Sequence, residues 1–202
     1  PQYGCINVHA SLLPKYRGAS PINSCILEGD SITGITTMYM NEKLDEGDII
    51  LQDELIIEPD YDSQTLTDKL AKLSEKTLEN TLKMIMMNIE IPRIEQDETK
   101  SSYCTLLSKE MGHINYHKTA DEIINAVRGL QPWPCAYSLY NGTNLKIFKA
   151  EKTNSKSVNQ PGTIVQSSKD KLIIATSTYD ISIKELQLSG KKRMNIGDFL
   201  CE

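Results

Sequence analysis

A short apolar strand that carries two polar residues constrains the fold of this chain more than any other stretch. Residues 5–8 are mostly apolar, as in a strand that a parallel sheet buries on both faces. Asn7 and His9 are two residues apart, so both side chains leave the same face of the strand. Pro14 ends the stretch because proline cannot extend a hydrogen-bond ladder. The pattern predicts an α/β sheet with a polar pair at the carboxyl end of a strand, where such sheets bind ligands.

The chemistry of these two polar residues favours acyl transfer. A histidine such as His9 can carry a proton during a reaction near neutral pH. The amide of Asn7 can donate a hydrogen bond to a developing oxyanion. Such a pair needs no nucleophilic serine or cysteine. The alternative is that His9 is a structural residue whose ring is satisfied by a neighbour.

Three motifs follow one another along the chain. Residues 7–14 read Asn-x-His-x-Ser-Leu-Leu-Pro, an Arg-Gly pair and a proline come next, and residues 44–47 read Leu-Asp-Glu-Gly. In this order they resemble the signature of the folate-dependent formyltransferases, which move a formyl group from 10-formyltetrahydrofolate to an amine. The resemblance implies that Asn7, His9 and Asp45 are the catalytic residues.

Physical reasoning alone does not select the acidic residue that would act with Asn7 and His9. A carboxylate near His9 would orient the imidazole ring. The family pattern selects Asp45, which follows a leucine. Other acidic residues of the same polar loop could take this part on charge alone: Glu42, Glu46 and Asp48.

The resemblance also assigns the loop that follows the first strand to the formyl donor. Ser11, Leu12, Leu13 and Pro14 would shape the folate pocket with their backbone groups. Arg17 either binds a carboxylate or phosphate or braces this loop, and we assign it to tRNA binding.

Composition indicates a cytoplasmic enzyme, or one of an organellar matrix if the source is eukaryotic. Hydrophobic residues make up 39% and charged residues 24% of the 202 positions, which is ordinary for a globular protein. No run approaches the ~20 apolar residues that span a bilayer, and the start does not resemble a signal peptide. We therefore expect no membrane association. The five cysteines show no C-x-x-C spacing, so we expect no disulfides. His113 and His117 lack a third ligand, so we expect no metal.

The net charge of −5 is distributed unevenly along the chain. Residues 1–104 carry nine Lys and Arg against 18 Asp and Glu, whereas residues 105–202 carry 13 against nine. This asymmetry predicts two bodies, of which the basic one faces a polyanion. The alternative is that the second half simply has scattered, solvated lysines.

Periodicity and turn signals predict an α/β protein with two domains. Residues 1–88 would form part of a Rossmann-like formyltransferase domain, 89–104 a linker, and 105–202 a small OB-like β-barrel. A doubly wound sheet builds strands before its switch point, yet this chain begins at Pro1 and reaches the catalytic strand within seven residues. We therefore expect a chain that lacks the amino-terminal part of its first domain.

Local signals predict the individual elements. Helices should begin at Ser20-Pro21, at Asp62 or Ser63, and at a capping box of Thr119 and Glu122. Strands are predicted over 34–40, 49–57, 137–140, 145–150, 162–166, 172–176 and 181–188, with a hairpin at Asn141-Gly142.

The second half resembles the branch of the formyltransferase family that acts on methionyl-tRNA. The resemblance is carried by residues 107–110, Arg128, Pro132-Trp133-Pro134 and the basic loop that begins at Gly190. It implies formylation of methionyl-initiator tRNA in translation initiation, by a monomer that binds folate and tRNA and not DNA. The basic loop would contact tRNA phosphates through Lys191, Lys192 and Arg193. Three alternatives stay open: a sugar-nucleotide N-formyltransferase, a glycinamide ribonucleotide formyltransferase (which would have no second domain), and a non-catalytic RNA-binding remnant.

Overall fold

The chain forms two compact units. The structure, a computed structural model, describes residues 4–87 and 90–201. Unit 1 comprises Pro1–Cys25 and Asp30–Leu106, and unit 2 comprises Ile26–Gly29 and Leu107–Glu202. The predicted domain boundary between residues 88 and 89 lies outside the described residues.

The elements of the first half match the predicted strands and helices closely. They are, in chain order, β1 (Ile6–His9), β2 (Arg17–Gly18), α1 (Pro21–Leu27), β3 (Ile32–Tyr39), β4 (Ile49–Ile56), α2 (Ser63–Met86) and β5 (Tyr103–Cys104). Helix α1 begins at the predicted Pro21, and α2 is capped by Asp62, whose side chain accepts from the Thr65 amide. Local capping and periodicity were therefore sufficient to predict the helices and the longer strands, whereas the two-residue strands β2 and β5 were not predicted.

The sheet of unit 1 has the order β1-β3-β4, and both pairings are antiparallel. The prediction that β1 belongs to a parallel sheet is wrong for the pairing that the structure describes. Its sequence is as apolar as a parallel strand, but periodicity does not specify the direction of the neighbour. In the register, Asn7 lies opposite Met38 and His9 lies opposite Thr36.

The two faces of this sheet have different partners. On one face, hydroxyl groups of α2 form hydrogen bonds to the sheet. Thr81 Oγ1 of α2 lies 2.8 Å from Thr37 Oγ1 of β3, and Thr77 of α2 donates to Asp53 of β4 at 2.7 Å. The other face carries His9 together with Thr36, which lies opposite it. Helix α2 therefore packs on one face of the sheet, and the opposite face presents the polar pair.

Residues 90–104, most of the segment that the sequence predicts to be a linker, belong to unit 1. Ile94 forms a β-bridge with Ile49, and β5 pairs in parallel with β2. Gln96 is buried. Low periodicity and mixed charge suggested a linker, but such segments can still be ordered by single bridges and side-chain contacts.

Unit 2 consists of an antiparallel sheet and short helices. Its elements are α3 (Ala120–Gly129), β6 (Ala136–Tyr140), β7 (Thr143–Lys156), β8 (Ile164–Ser168), β9 (Lys171–Ile174), β10 (Tyr179–Leu188), β11 (Met194–Asn195) and α4 (Ile196–Cys201). The capping box of Thr119 and Glu122 and the hairpin at Asn141-Gly142 are confirmed. Ile123 and Val127 of α3 pack in one core with residues of β7 and β10.

The strand order in unit 2 is β6-β7-β10-β9-β8, with β11 on β10. Among the described residues the end strands β6 and β8 do not pair with each other, so the structure shows an open sheet, and the OB-like form of the predicted small barrel stays a prediction. In the same residues no helix has the length and apolar character needed to cross a membrane.

Candidate active site

Strand β1 brings two predicted catalytic residues to the front of the unit 1 sheet. Asn7 is half-buried and His9 is buried. Their spacing of two places both on one face, and the regular pairing of β1 with β3 keeps that alternation. The pair is thus presented by a rigid element and not by a loop.

Both ring nitrogens of His9 face oxygen atoms. Nε2 lies 2.9 Å from the carbonyl oxygen of Tyr16, and Nδ1 lies 3.7 Å from Asp45 Oδ2. A carbonyl oxygen can only accept, so Nε2 carries a proton. An imidazolium would offer a second proton, on Nδ1, to the carboxylate. The hydrogen bond at Nε2 orients the ring, and the Asp45 carboxylate lies close to its other nitrogen.

Asp45 reaches His9 from the loop between β3 and β4. Its backbone has a φ of 55°, a left-handed conformation that costs a non-glycine residue about 1 kcal/mol or more. Its Oδ2 atom accepts a hydrogen bond of 2.8 Å from the Gly18 amide. Because β1 and β3 are antiparallel, their carboxyl ends point to opposite edges of the sheet, so the loop and not the strand direction brings Asp45 back to His9.

The structure distinguishes Asp45 from acidic neighbours in the same loop. Glu46 accepts from the Tyr103 hydroxyl at 2.8 Å, and this hydrogen bond, together with that from Lys43, holds the pKa of the Glu46 carboxyl below its usual value. Asp48 pairs with Arg93 at 3.4 Å. The acidic residue that the motif selects is also the one that lies beside His9.

Two glycines make this approach possible. A Cβ on Gly47 would lie 1.7 Å from the carbonyl oxygen of Tyr39, so no side chain fits where the loop returns to β3. Gly18 has a φ of 110°, and a Cβ there would meet the Cys104 carbonyl oxygen at 2.4 Å. The glycines of both motifs therefore permit close backbone packing around Asp45.

The loop of Ser11–Pro14 is held by internal hydrogen bonds. Thr36 Oγ1 donates to the Ser11 carbonyl at 2.6 Å and accepts from the Leu13 amide at 3.1 Å. Gln52 Nε2 donates to the Leu13 carbonyl at 2.9 Å. These backbone groups, which the family resemblance assigns to a folate pocket, are already satisfied within the chain. Leu12 and Pro14 are half-buried and retain some exposed surface.

Arg17 braces the loops and is not on the surface. Its side chain has 0% exposure, and its guanidinium donates to Gln96 Oε1 and to both carboxylate oxygens of Glu98. The hydrogen bonding of the guanidinium to the Glu98 carboxylate is the main reason why the pKa of Arg17 is raised above its usual value. These contacts are those of a residue that braces the loop, which is one of the two roles that the sequence left open for Arg17.

The predicted basic loop of unit 2 is exposed, but its members differ. Arg193 donates to Glu185 through Nε at 2.7 Å and Nη2 at 2.6 Å, and its guanidinium lies 4.2 Å from the Phe148 ring centroid. This hydrogen bond lowers the pKa of the Glu185 carboxyl. Lys191 and Lys192 are exposed. Arg193 therefore has a structural partner inside unit 2.

Family models match both halves of the chain. The formyl transferase model matches residues 1–82, and the model of the formyl transferase C-terminal domain matches residues 106–202. The chain belongs to the formyl transferase family. A methionyl-tRNA formyltransferase of Caldanaerobacter subterraneus subsp. tengcongensis is 47% identical over 200 residues, which is 99% of this chain and 64% of that protein. This chain thus spans less than two thirds of the length of that relative.

Solved structures share the fold of this formyl transferase family chain. HypX from Aquifex aeolicus in complex with tetrahydrofolic acid has a TM-score of 0.70 at 14% identity, over 96% of this chain and 34% of that one. An N-formyltransferase from Helicobacter canadensis in complex with folinic acid and dTDP-3-aminofucose has a TM-score of 0.70 at 24% identity, over 88% of this chain and 65% of that one.

Three residues of this formyl transferase family site were not predicted from sequence. Tyr16 and Gly18 contribute backbone groups, which no side-chain pattern can indicate. Gln96 lies in the segment that was predicted to be a linker, 51 positions from Asp45, and donates to the Asp45 carbonyl at 2.8 Å. Nothing in the sequence distinguished Gln96 from other polar residues, because a single glutamine in a polar segment does not indicate a functional role.

Proposed function

We propose that this chain transfers the formyl group of 10-formyltetrahydrofolate to the amino group of methionyl-initiator tRNA, a step that supports translation initiation. The observation that carries the proposal is that Asp45 lies beside His9, in a chain 47% identical to a methionyl-tRNA formyltransferase. Asn7, His9 and Asp45 are the proposed catalytic residues.

In the proposed reaction, the α-amino nitrogen of methionyl-tRNA attacks the formyl carbon and forms a new C–N bond. The carbonyl electrons move onto oxygen, and the intermediate collapses when the bond from the carbon to N10 of the folate breaks. One proton leaves the amine and one is taken up by N10, so the site must handle a proton. Asn7 would donate to the oxyanion, a contact worth about 3 kcal/mol in comparable sites.

His9 and Asp45 would supply charge and proton handling. The Tyr16 carbonyl holds the His9 ring at Nε2, and the Asp45 carboxylate lies 3.7 Å from Nδ1. An imidazolium in this orientation would stabilise the oxyanion through its positive charge, with Asp45 as its fixed counter-ion. Delivery of a proton to N10 would require one ring nitrogen to exchange its present oxygen partner for the folate.

The folate-type donor would lie against the loop of Ser11–Pro14. The HypX structure from Aquifex aeolicus was solved with tetrahydrofolic acid, and its fold resembles this chain. Because the backbone groups of Ser11 and Leu13 are satisfied internally, the loop would act as a rigid wall, offering the surfaces of Leu12 and Pro14. A preformed wall reduces the entropy lost when the folate binds.

Unit 2 would bind the tRNA as an OB-like domain. Residues 105–202 carry four more basic than acidic residues, and Lys191 and Lys192 are exposed on the loop after β10. Lysines at such a loop would contact phosphates, which contribute affinity that falls with salt. The reaction would take place in the cytoplasm, by a monomer.

The test is a formyl-transfer assay with the native polypeptide, 10-formyltetrahydrofolate and methionyl-initiator tRNA. His9→Ala should lower kcat/KM by roughly 100-fold or more, because a positioned acid–base group contributes that much. His117→Ala, which changes an exposed histidine of unit 2, is the matched control and should retain the wild-type rate. Near-normal transfer by His9→Ala would contradict the assignment.

Two further arms separate the substrates. A dTDP-amino sugar offered in place of the tRNA should not be formylated; if it is the better acceptor, the proposed substrate is wrong.

Lys192→Ala should weaken tRNA binding. It should also reduce the slope of the logarithm of the binding constant against the logarithm of the salt concentration by about 1, as expected for one lost phosphate contact. An unchanged slope would remove Lys192 from the tRNA interface.

A further inference from the structure

Gln96 is hydrogen-bonded to the backbone of the loop that carries Asp45. Its Nε2 donates to the carbonyl oxygen of Asp45 at 2.8 Å and to that of Gly47 at 2.8 Å. Its Oε1 accepts from Arg17 Nε at 3.0 Å and from Nη2 at 2.9 Å. The side chain is buried, and all four hydrogen-bonding positions of its amide are used.

Arg17 determines which way this amide points. A guanidinium has donors only and stays charged, so the group that faces it must be the Gln96 oxygen. The amide nitrogen then has to face the loop, where the carbonyl oxygens of Asp45 and Gly47 accept its two hydrogen bonds. Glu98 pairs with the far side of Arg17 at 2.7 Å and so holds the guanidinium in place.

The carbonyls that Gln96 binds flank a strained part of the loop. Asp45 has a φ of 55°, and Gly47 is in contact with β3. Backbone held in a sparsely populated conformation persists only when surrounding contacts fix it. Two hydrogen bonds to the backbone on either side of Glu46 are contacts of this kind. The side chain of Asp45 is in turn held by the Gly18 amide.

We propose that Gln96 is a positioning residue, which fixes the loop so that the Asp45 carboxylate faces His9, and that Arg17 acts through it by fixing the orientation of the amide. The effect of Gln96 on catalysis rests on the proposed function. Its effect on the placement of Asp45 does not depend on any reaction, and the two can be measured separately.

Gln96→Glu is the discriminating variant. It keeps the shape and the acceptor for Arg17 but replaces the amide donor by a carboxylate oxygen that faces two carbonyl oxygens. The loop should therefore move away and take Asp45 with it. Gln64→Glu makes the same chemical change at an exposed position on α2 and is the matched control.

The first measurement is residue-resolved hydrogen exchange of three neighbouring amides. Gly18 donates to Asp45, whereas Arg17 and Ala19 donate to the carbonyls of Ser102 and Cys104. In Gln96→Glu the protection of Gly18 should fall about 10-fold or more, while that of Arg17 and Ala19 changes less than about 3-fold. Unchanged protection at Gly18, or an equal fall at all three amides, would overturn the proposal.

The second measurement is a double-mutant cycle with Asp45→Asn, read as formyl transfer. Gln96→Glu should lower kcat by about 10- to 100-fold with little change in KM for the folate, as expected for a displaced catalytic group. In the Asp45→Asn background it should cost almost nothing more, because it acts through Asp45. Equal losses in both backgrounds would indicate a merely structural role. If the wild type forms no formyl-methionyl-tRNA, the proposed function fails, and the exchange experiment still decides the positioning role.

Discussion

The backbone amide of Gly18 lies 2.8 Å from Asp45 Oδ2, the same oxygen atom that lies 3.7 Å from His9 Nδ1. One carboxylate oxygen is thus shared between a neutral donor and the imidazole. The amide fixes the direction of the carboxylate when the imidazole carries no proton on Nδ1. The contact also links the two glycine-containing motifs of the chain, since Gly18 belongs to the first and Asp45 to the second.

Asp45→Asn should abolish most of the formyl transfer and leave the fold intact. The amide can still accept from Gly18, but it has no charge to stabilise the imidazolium of His9. We expect kcat to fall at least about 100-fold, measured with saturating substrates. Asp48→Asn changes the same residue type in the same loop and should retain most activity, because Asp48 pairs with Arg93. Comparable losses in the two variants would show that the loop charge as a whole, and not Asp45, matters.

Gly47→Ala should destabilise the protein and disable the site together. The new Cβ would lie 1.7 Å from the Tyr39 carbonyl oxygen, so the loop must shift. We expect a loss of more than about 2 kcal/mol in the free energy of unfolding, measured with denaturant. Gly197→Ala is the control, because there the Cβ would lie 3.8 Å from its nearest neighbour, Lys169 O. A silent Gly47→Ala variant would mean that the loop has another conformation.

Thr81→Val should lower the stability of unit 1, because it leaves the Thr37 hydroxyl with only a long hydrogen bond of 3.5 Å to the Leu51 carbonyl. Thr81 and Thr37 are buried, and their hydroxyl oxygens are 2.8 Å apart. Removing one partner should cost about 1–3 kcal/mol in the free energy of unfolding. The double variant Thr37→Val/Thr81→Val should cost less than the sum of the single variants, since neither hydroxyl is left without its partner. Thr67→Val, at an exposed position of α2, should change stability by less than about 0.5 kcal/mol. Additive costs in the double variant would contradict the pairing.

The pair of Glu185 and Arg193 should make a pH-dependent contribution to stability. The hydrogen bond from Arg193 lowers the pKa of Glu185 below its usual 4.5 in the folded state. The contribution is therefore present above about pH 4.5 and is lost as the pH falls through the lower folded value. Because both side chains are partly exposed, Glu185→Gln should cost at most about 1 kcal/mol at pH 7. Arg193→Ala should lower the free energy of unfolding by an amount that also shrinks as the pH falls, because the same ion pair is lost. A loss in the free energy of unfolding that stays constant down to pH 3 in either variant would exclude the mechanism.

Local elements were predictable because their signals are local. The cap at Asp62, the box of Thr119 and Glu122, and the hairpin at Asn141-Gly142 are each determined by a few neighbouring residues. The family resemblance identified Asp45 through a motif of four residues. Physical reasoning from the sequence left four acidic residues of the loop open, because charge alone does not specify which side chain reaches the histidine.

Long-range relationships were not predictable in the same way. The sequence of β1 suggested a strand of a parallel sheet, whereas β1 pairs antiparallel with β3, since an apolar strand is compatible with either direction. The hydrogen bonds of Arg17 to Gln96 and Glu98 join residues about 80 positions apart, and the sequence did not indicate that these contacts would brace the loop.

The sequence by itself determined the helix caps, the turns, the two-residue spacing of Asn7 and His9, and the motif that contains Asp45, because each depends on neighbours along the chain. Only the tertiary structure decided that a loop returns Asp45 to His9, and that Arg17 and Gln96 hold that loop. Those contacts join residues tens of positions apart, and their energies depend on burial and on hydrogen-bond geometry that no local pattern contains.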